Sequence, residues 1–475
     1  MADGFRPALV AGHDDGDSLR VVYLLVASGP DRRIELELVL DRDRPMLPSL
    51  AAHSFPTSRF EREIADLFGV ELVDHPSPHR LVLHQHWPPG YHPMRRDTTT
   101  RPVFDERAEP FPFVAVEGPG VYEIPVGPIH AGLIEPGHFR FSVVGETIVA
   151  MKARLWFVHK GIERLFEGRI PGDGIELAER ISGDTAVGHS LAYCLAVEEA
   201  LDLRVPNDVQ ELRAVLLELE RLYNHVADLG ALCNDVGYGI LHAHAFTLRE
   251  RLLRLNRRVT GHRLLRGAIT PGGAQVRDLP TTDELSDVAA DADELVRLAL
   301  ANSTVVDRFT GTSVLHATTA DDIGTVGYVA RASGLDRDAR RDHPFCDLSD
   351  VLDVPVQGAG DVMARFRQRA QEITASIELL HALLGRARKR GEPEPLRAVP
   401  DRTGGSSGVG IVEAWRGALA HRVEVGTDGR LHRVKIVDPS FLNWPALPMS
   451  LGDTIVPDFP LANKSFNLSY AGNDL

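Results

Sequence analysis

Three separated segments, with one arginine from a fourth, carry residues able to hold protons or bind a small molecule. "GPIHAGLIEPGHFRF" supplies Glu135 and His138. "RISGDTAVGHS" supplies the hydroxyls of Ser182 and Thr185, the bare backbone of Gly183 and the imidazole of His189. The tail "NLSYAGNDL" adds Ser469, Tyr470 and Gly472, and "EAWRG" contributes Arg416. Segments far apart in sequence that meet at one place are a common way to build a site. A carboxyl or imidazole group in such a place transfers protons. What the set lacks is thiol: the chain has three cysteines, Cys194, Cys233 and Cys346, with no Cys-x-x-Cys among them. They read as small buried packing residues, and no iron–sulfur cluster is expected in this chain.

The elements around these segments divide the chain in two. "SLRVVYLLVA" and "RRIELELVL" alternate like strands of a hairpin. "SRFEREIADLFGV" has Phe60, Ile64, Leu67 and Phe68 at helical spacing, with Ser58 as its expected N-cap. A Pro/His-rich stretch follows and excludes regular helix. Its histidines 75, 79, 84, 86 and 92 are read as structural. Residues 1–105 are therefore expected to form a small α/β domain, and 106–126 an extended linker. From 127 to 475 a hairpin over "GHFRFSVVGETIVAMKARLWF" leads into helical patterns at about 161–270, 282–308 and 361–390. A loop, "GEPEPLRAVPDRTGGSSGVG", precedes strands in "GVGIVEAWRGALAHRVEV" and "LHRVKIVDPS", and the tail reads as irregular. The expected fold class is α+β, a small α/β domain fused to a large helical domain with a β-rich margin.

Composition narrows the function. The formal charge of −15 argues against nucleic acid as a partner. No apolar run is long enough for a transmembrane helix, and the start has no secretory h-region. A cytoplasmic protein is expected, attached to a membrane only through other subunits. "GVGIVE" lacks the third glycine of a dinucleotide fingerprint, so a nicotinamide cofactor, NAD, would bind on a partner.

"FEREIADLFGVELVDHPSPHRLVLHQHWPPGYHPMRRD" is similar to the signature of the 30-kDa-type subunit of respiratory complex I. In that family this domain is structural. From Gly127 onward, "HKGIERLFEGR", "ERISGDTAVGHSLAY", "ELERLYNHVADLG", "GVGIVEAWRGALAH" and "IVPDFPLANKSFNLSYAGNDL" resemble the large subunit of membrane-bound nickel–iron hydrogenases of the formate-hydrogenlyase type. The 49-kDa-type subunit of complex I is a relative of the same fold.

The resemblance implies where a metal would sit. Two Cys-x-x-Cys pairs hold nickel and iron in the hydrogenases. Here Arg180, Gly183 and His189 match the first motif, but Ser182 and Thr185 stand at its thiols, and Ser469 and Gly472 stand at those of the second. A soft thiolate suits nickel, a serine hydroxyl is hard and difficult to ionise, and glycine offers nothing. No nickel–iron centre is expected. By the same resemblance Glu135 matches a proton-passing glutamate, Arg416 the arginine beside the iron's ligands, and His189 a histidine behind the metal. Each also has an ordinary structural reading: a loop cap, a buried ion pair, a satisfied core histidine.

The complex I relative lacks the same cysteines and binds a quinone head-group in the freed space, using a histidine and a tyrosine. Gly183 stands at the tyrosine position here. Quinone is thus the expected substrate by analogy, in a cavity near Glu135, His138, Gly183, Ser469 and Tyr470. The implied partners are a small iron–sulfur subunit that delivers electrons and antiporter-like membrane subunits. The alternative is an inactive scaffold, expected if Tyr470 and Trp444 close the cavity.

Overall fold

The computed structural model describes residues 4–107, 109–131, 134–390 and 405–475, with side chains of the long helix near 390 described to 387. The first sheet has three antiparallel strands, Arg6–Asp14, Ser18–Ala27 and Arg32–Asp41, in that order. The last two form the expected hairpin, with Ser18 opposite Asp41 and Ala27 opposite Arg32. The first strand is an addition to that expected hairpin. Leu9, Leu19, Val21 and Tyr23 are buried with Phe60, Ile64 and Phe68 of the helix Phe55–Phe68.

That helix begins earlier than expected. Its N-cap is Ser54, and Ser58 lies inside it. Pro56 explains the shift, because a residue without an N–H fits the first turn, where no intrahelical partner exists. Glu61 turns away from the helix start. It accepts hydrogen bonds from the Leu50 N–H at 2.9 Å and the Ser49 hydroxyl at 2.6 Å. Three of the five histidines of the next stretch pair with backbone carbonyls: His75 with Ser58 at 3.2 Å, His84 with Leu155 at 3.1 Å and His92 with Asp66 at 3.0 Å.

The segment 106–126 ends in a strand, Val121–Val126, which pairs with His138–Val144, which in turn pairs with Thr147–Arg154. The helical part is built on Ala186–Ala200, Asn207–Asp235, Gly239–Thr260, Thr282–Ala301 and Val362–Arg390. Leu216, Leu219, Leu222 and Val226 share one buried core with Leu248, Leu252, Leu285 and Leu380. The helix at Thr282 starts on a capping box, Thr281 with Glu284.

The last sheet, Ser406–Ala414, Gly417–Val425 and Leu431–Val437, is antiparallel. Its glycines let it approach closely: a Cβ on Gly410 would meet the Ala192 carbonyl oxygen at 2.0 Å. Most of the loop expected before this sheet, 391–404, lies outside the described residues, and its final residues belong to the first strand. The tail, expected to be irregular, contains the helices Phe459–Phe466 and Tyr470–Asp474. No helix among the described residues is long and apolar enough to cross a membrane.

The small domain is fastened to the large one by buried charge. Lys435 Nζ lies 2.5 Å from Glu63 and 3.1 Å from Glu163, and Arg433 binds Glu163 at 2.6 Å. Arg59 donates to the Phe441 carbonyl and, at 3.1 Å, to Asn473 Oδ1. The first domain thus braces the tail that carries Ser469.

Candidate functional site

The three segments meet. The turn 180–185 leads into the helix Ala186–Ala200, and Ser469 caps the helix Tyr470–Asp474 by accepting the Gly472 N–H at 2.9 Å. Ser182 Oγ and Ser469 Oγ lie 2.8 Å apart. Trp415 and Arg416 form the turn between the first two strands of the last sheet, and they reach the same point. Arg416 donates two hydrogen bonds to the Asp184 carboxylate, at 2.6 and 2.7 Å, and a third from Nε to the Asn467 carbonyl at 2.7 Å. Its guanidinium lies 4.0 Å from the centre of the Trp415 ring.

Asp184 is the hub of the hydroxyls as well. Ser182 Oγ donates to it at 3.0 Å and Thr185 Oγ1 at 3.1 Å. Thr185 Oγ1 in turn accepts from Trp415 Nε1 at 3.1 Å and Arg416 Nη1 at 3.2 Å. Burial alone would raise the Asp184 carboxyl. The Arg416 charge and the three donor groups outweigh it and hold it down at about 2. Asp184 stays ionised and its partner stays charged, a bidentate pair at the centre of the site.

Beside this pair lies an open cleft of ≈ 620 Å³, lined by Glu135, Gly183, Asp184, Arg416, Lys464 and Tyr470 among others. Glu135 accepts the Ala471 N–H at 3.0 Å, so its carboxylate is tied to the first turn of the tail helix. Gly183 faces free space, with nothing within 4 Å of the place a Cβ would occupy. Trp444 packs edge-on against Tyr470 with ring centres 4.9 Å apart, and its Nε1 donates to the Ser469 carbonyl at 3.3 Å. Tyr470 lines the cleft, and Trp444 backs it without reaching the lining.

Two of the expected residues stand elsewhere. His138 begins a strand outside the cleft lining, with Nδ1 3.2 Å from the Gly127 carbonyl oxygen. The Gly137 N–H donates to the Pro128 carbonyl at 3.0 Å, and the His138 ring lies 5.5 Å from that of Phe113. His189 is fully buried behind the site. Its Nε2 lies 3.0 Å from Asp438 Oδ2 and its Nδ1 3.0 Å from His421 Nε2. Glu135, Gly183, Arg416, Ser469 and Tyr470 all line the cleft.

Sequence reasoning missed Asp184, Asp438 and Glu220. Asp184 lies between the two hydroxyls, and in sequence nothing distinguishes it from an ordinary turn aspartate. Asp438 had a signal: Asp-Pro-Ser is a helix start, and its Oδ1 accepts the Ser440 N–H at 2.7 Å. Glu220, in mid-helix, had none. It reaches the N-terminus of the helix Ala186–Ala200 and accepts the Val187 and Gly188 N–H groups at 2.7 and 2.9 Å.

Residues 6–103 match the family described as respiratory-chain NADH dehydrogenase, 30 Kd subunit. Residues 160–233 match nickel-dependent hydrogenase, and 235–399 the 49 Kd subunit of respiratory-chain NADH dehydrogenase. The chain is 32% identical to formate hydrogenlyase subunit 5 of Escherichia coli, over 96% of this chain and 81% of that one. It is 31% identical to hydrogenase-4 component G of the same organism, over 99% and 84%. Among solved structures, a chain of an archaeal membrane-bound sulfane sulfur reductase shares the fold. The TM-score is 0.67 at 24% identity, covering 75% of this chain and 99% of the other.

Proposed function

The chain belongs to the family of formate hydrogenlyase subunit 5 and hydrogenase-4 component G, and from that premise we propose that it is a peripheral subunit of a membrane-associated oxidoreductase that reduces a quinone in this cleft without a nickel–iron centre. One observation carries the proposal: Ser182 and Ser469, two of the four positions that resemble metal-ligand sites, are hydrogen-bonded to each other in the wall of an open cleft that also holds Glu135, with Thr185 and Gly472 bonded directly behind them.

The donors at those positions do not fit the metal pair. Ser182 and Ser469 bond each other, Thr185 is engaged with Trp415, Arg416 and Asp184, and Gly472 has no side chain. Hard, protonated hydroxyls are poor partners for nickel. No step of the mechanism therefore passes through it.

A quinone needs two electrons and two protons to become a quinol. The electrons come from an iron–sulfur cluster on a small partner subunit, and any NAD chemistry lies further off, on another partner. Each proton forms an O–H bond at one ring oxygen. Of the three lining carboxyl groups, Asp184 is held ionised by Arg416, which leaves Glu135 and Asp235; we take Glu135, tied to the tail helix beside Ser469 and Tyr470, as the proton donor, recharged from solvent through the open side. The Asp184–Arg416 pair holds the shape of the wall and keeps a fixed dipole toward the ring. Antiporter-like membrane subunits would carry the attachment of the assembly to the inner face of the membrane.

A scaffold role is the second reading. The closed hydrogen-bond set of Ser182, Ser469 and Gly472 and the packing of Tyr470 on Trp444 favour it. Purifying the intact complex, identifying its subunits and redox centres and assaying reduction of a soluble quinone separates the two. The proposal requires quinone reduction with no stoichiometric nickel in this chain. A complex that contains about one nickel per chain, or that never reduces quinone, rejects it.

A further inference from the structure

Gly472 packs against a carboxylate. A Cβ on Gly472 would lie 2.5 Å from Asp438 Cγ, 2.5 Å from Oδ2 and 2.8 Å from Oδ1. Real Cβ atoms do not approach heavy atoms so closely. Nor can the carboxylate swing aside at little cost. Asp438 is fully buried, with Oδ1 accepting the Ser440 N–H at 2.7 Å and Oδ2 bonded to His189 Nε2 at 3.0 Å. His189 is held in its turn by His421 Nε2 at 3.0 Å. A buried carboxylate taken from these partners would be left unsatisfied.

We infer that Asp438 and Gly472 are a matched pair: the Asp438 carboxylate fills the volume a ligand side chain at 472 would need, and so bars a metal ligand from that position. This rests on the reading of 182, 185, 469 and 472 as former ligand positions. Under it, replacing the four residues by cysteine does not rebuild a thiolate set, because the fourth thiol has nowhere to stand. Asp438 also provides His189 with an anionic acceptor. Through its bond to the Ser440 N–H, Asp438 also helps to hold the turn 469–472, because the Ser440 hydroxyl accepts the Ser469 N–H at 2.9 Å. Asp438 acts on the cleft through these residues and is a positioning residue.

The test uses the full chain and Co²⁺ as probe, read by thiolate-to-cobalt absorption. One variant carries Ser182→Cys, Thr185→Cys, Ser469→Cys and Gly472→Cys. A second adds Asp438→Ala. The second should bind one Co²⁺ with affinity at least ~100-fold above the first, as expected when a full tetrahedral thiolate set replaces an incomplete one. Equal binding by both, or absence of binding in the second, overturns the inference. Thermal unfolding provides an independent check should the cysteine variants fail to fold. Gly472→Ala should lower Tm, and it should lower it by much less when Asp438→Ala is already present. Strictly additive effects overturn the pairing. Neither readout involves quinone turnover, so the proposed reaction stands or falls by its own assay.

Discussion

Ser182 Oγ and Ser469 Oγ lie 2.8 Å apart although 287 positions separate them in the chain. Both residues are buried. This contact joins the mid-bundle turn to the tail, and the Gly472 N–H completes it. Ser469→Ala removes the acceptor of a buried N–H and should destabilise the chain by about 1–3 kcal/mol. A double-mutant cycle with Ser182→Ala, followed by urea unfolding, should give a coupling of about 0.5–1.5 kcal/mol. A coupling indistinguishable from zero would mean that the two hydroxyls do not share a bond.

Asp184 and Arg416 should behave as a unit. Arg416 is buried, stacked on Trp415 and bonded to the Asn467 carbonyl. Asp184→Ala strands its charge and should destabilise by about 3 kcal/mol, the lower end of the range for a broken buried pair because the aspartate is partly exposed. Asp184→Ala together with Arg416→Met should recover part of that loss. Chemical denaturation of these two variants and of Arg416→Met alone measures it, and a double variant worse than the sum of the singles would argue against the pair.

Glu220 predicts a pH dependence of stability. Burial pushes its carboxyl up from 4.5 to about 8, against the lowering effect of the Val187 and Gly188 N–H groups. A carboxyl whose folded value is raised binds its proton more tightly in the folded state. Its stabilising contribution is present below the unfolded value near 4.5 and is lost as pH rises through about 8. Tm should therefore fall between about pH 5 and pH 9 by more in the natural chain than in Glu220→Gln. Parallel pH profiles of Tm would show that Glu220 does not titrate in that window.

Much of the architecture was legible because long elements repeat their signal. The bundle helices have enough turns for apolar residues to mark one face, and Leu216, Leu219, Leu222 and Val226 are buried where that spacing put them. Short elements carry too little. The tail helices have eight and five residues, and prolines at 457 and 460 mask the first of them. The strand Val121–Val126 contains Pro125, and so read as linker. The meeting of the Arg180–His189 segment with the tail was legible from the motifs. Asp184 was not, since its meaning comes from Arg416, 232 positions away. Neither was the Asp438–His189 contact, which exists only after the last sheet is packed on the Ala186–Ala200 helix.

The most direct test of quinone reduction at this cleft is the turnover of the assembled complex with a soluble quinone, comparing the natural chain with Glu135→Gln. Glutamine keeps the size of the side chain and can still accept the Ala471 N–H, but it cannot give up a proton to the reduced ring. The account predicts intact subunit content and turnover lower by roughly 10²-fold or more, the scale of lost general-acid catalysis. Unchanged turnover in Glu135→Gln would contradict it.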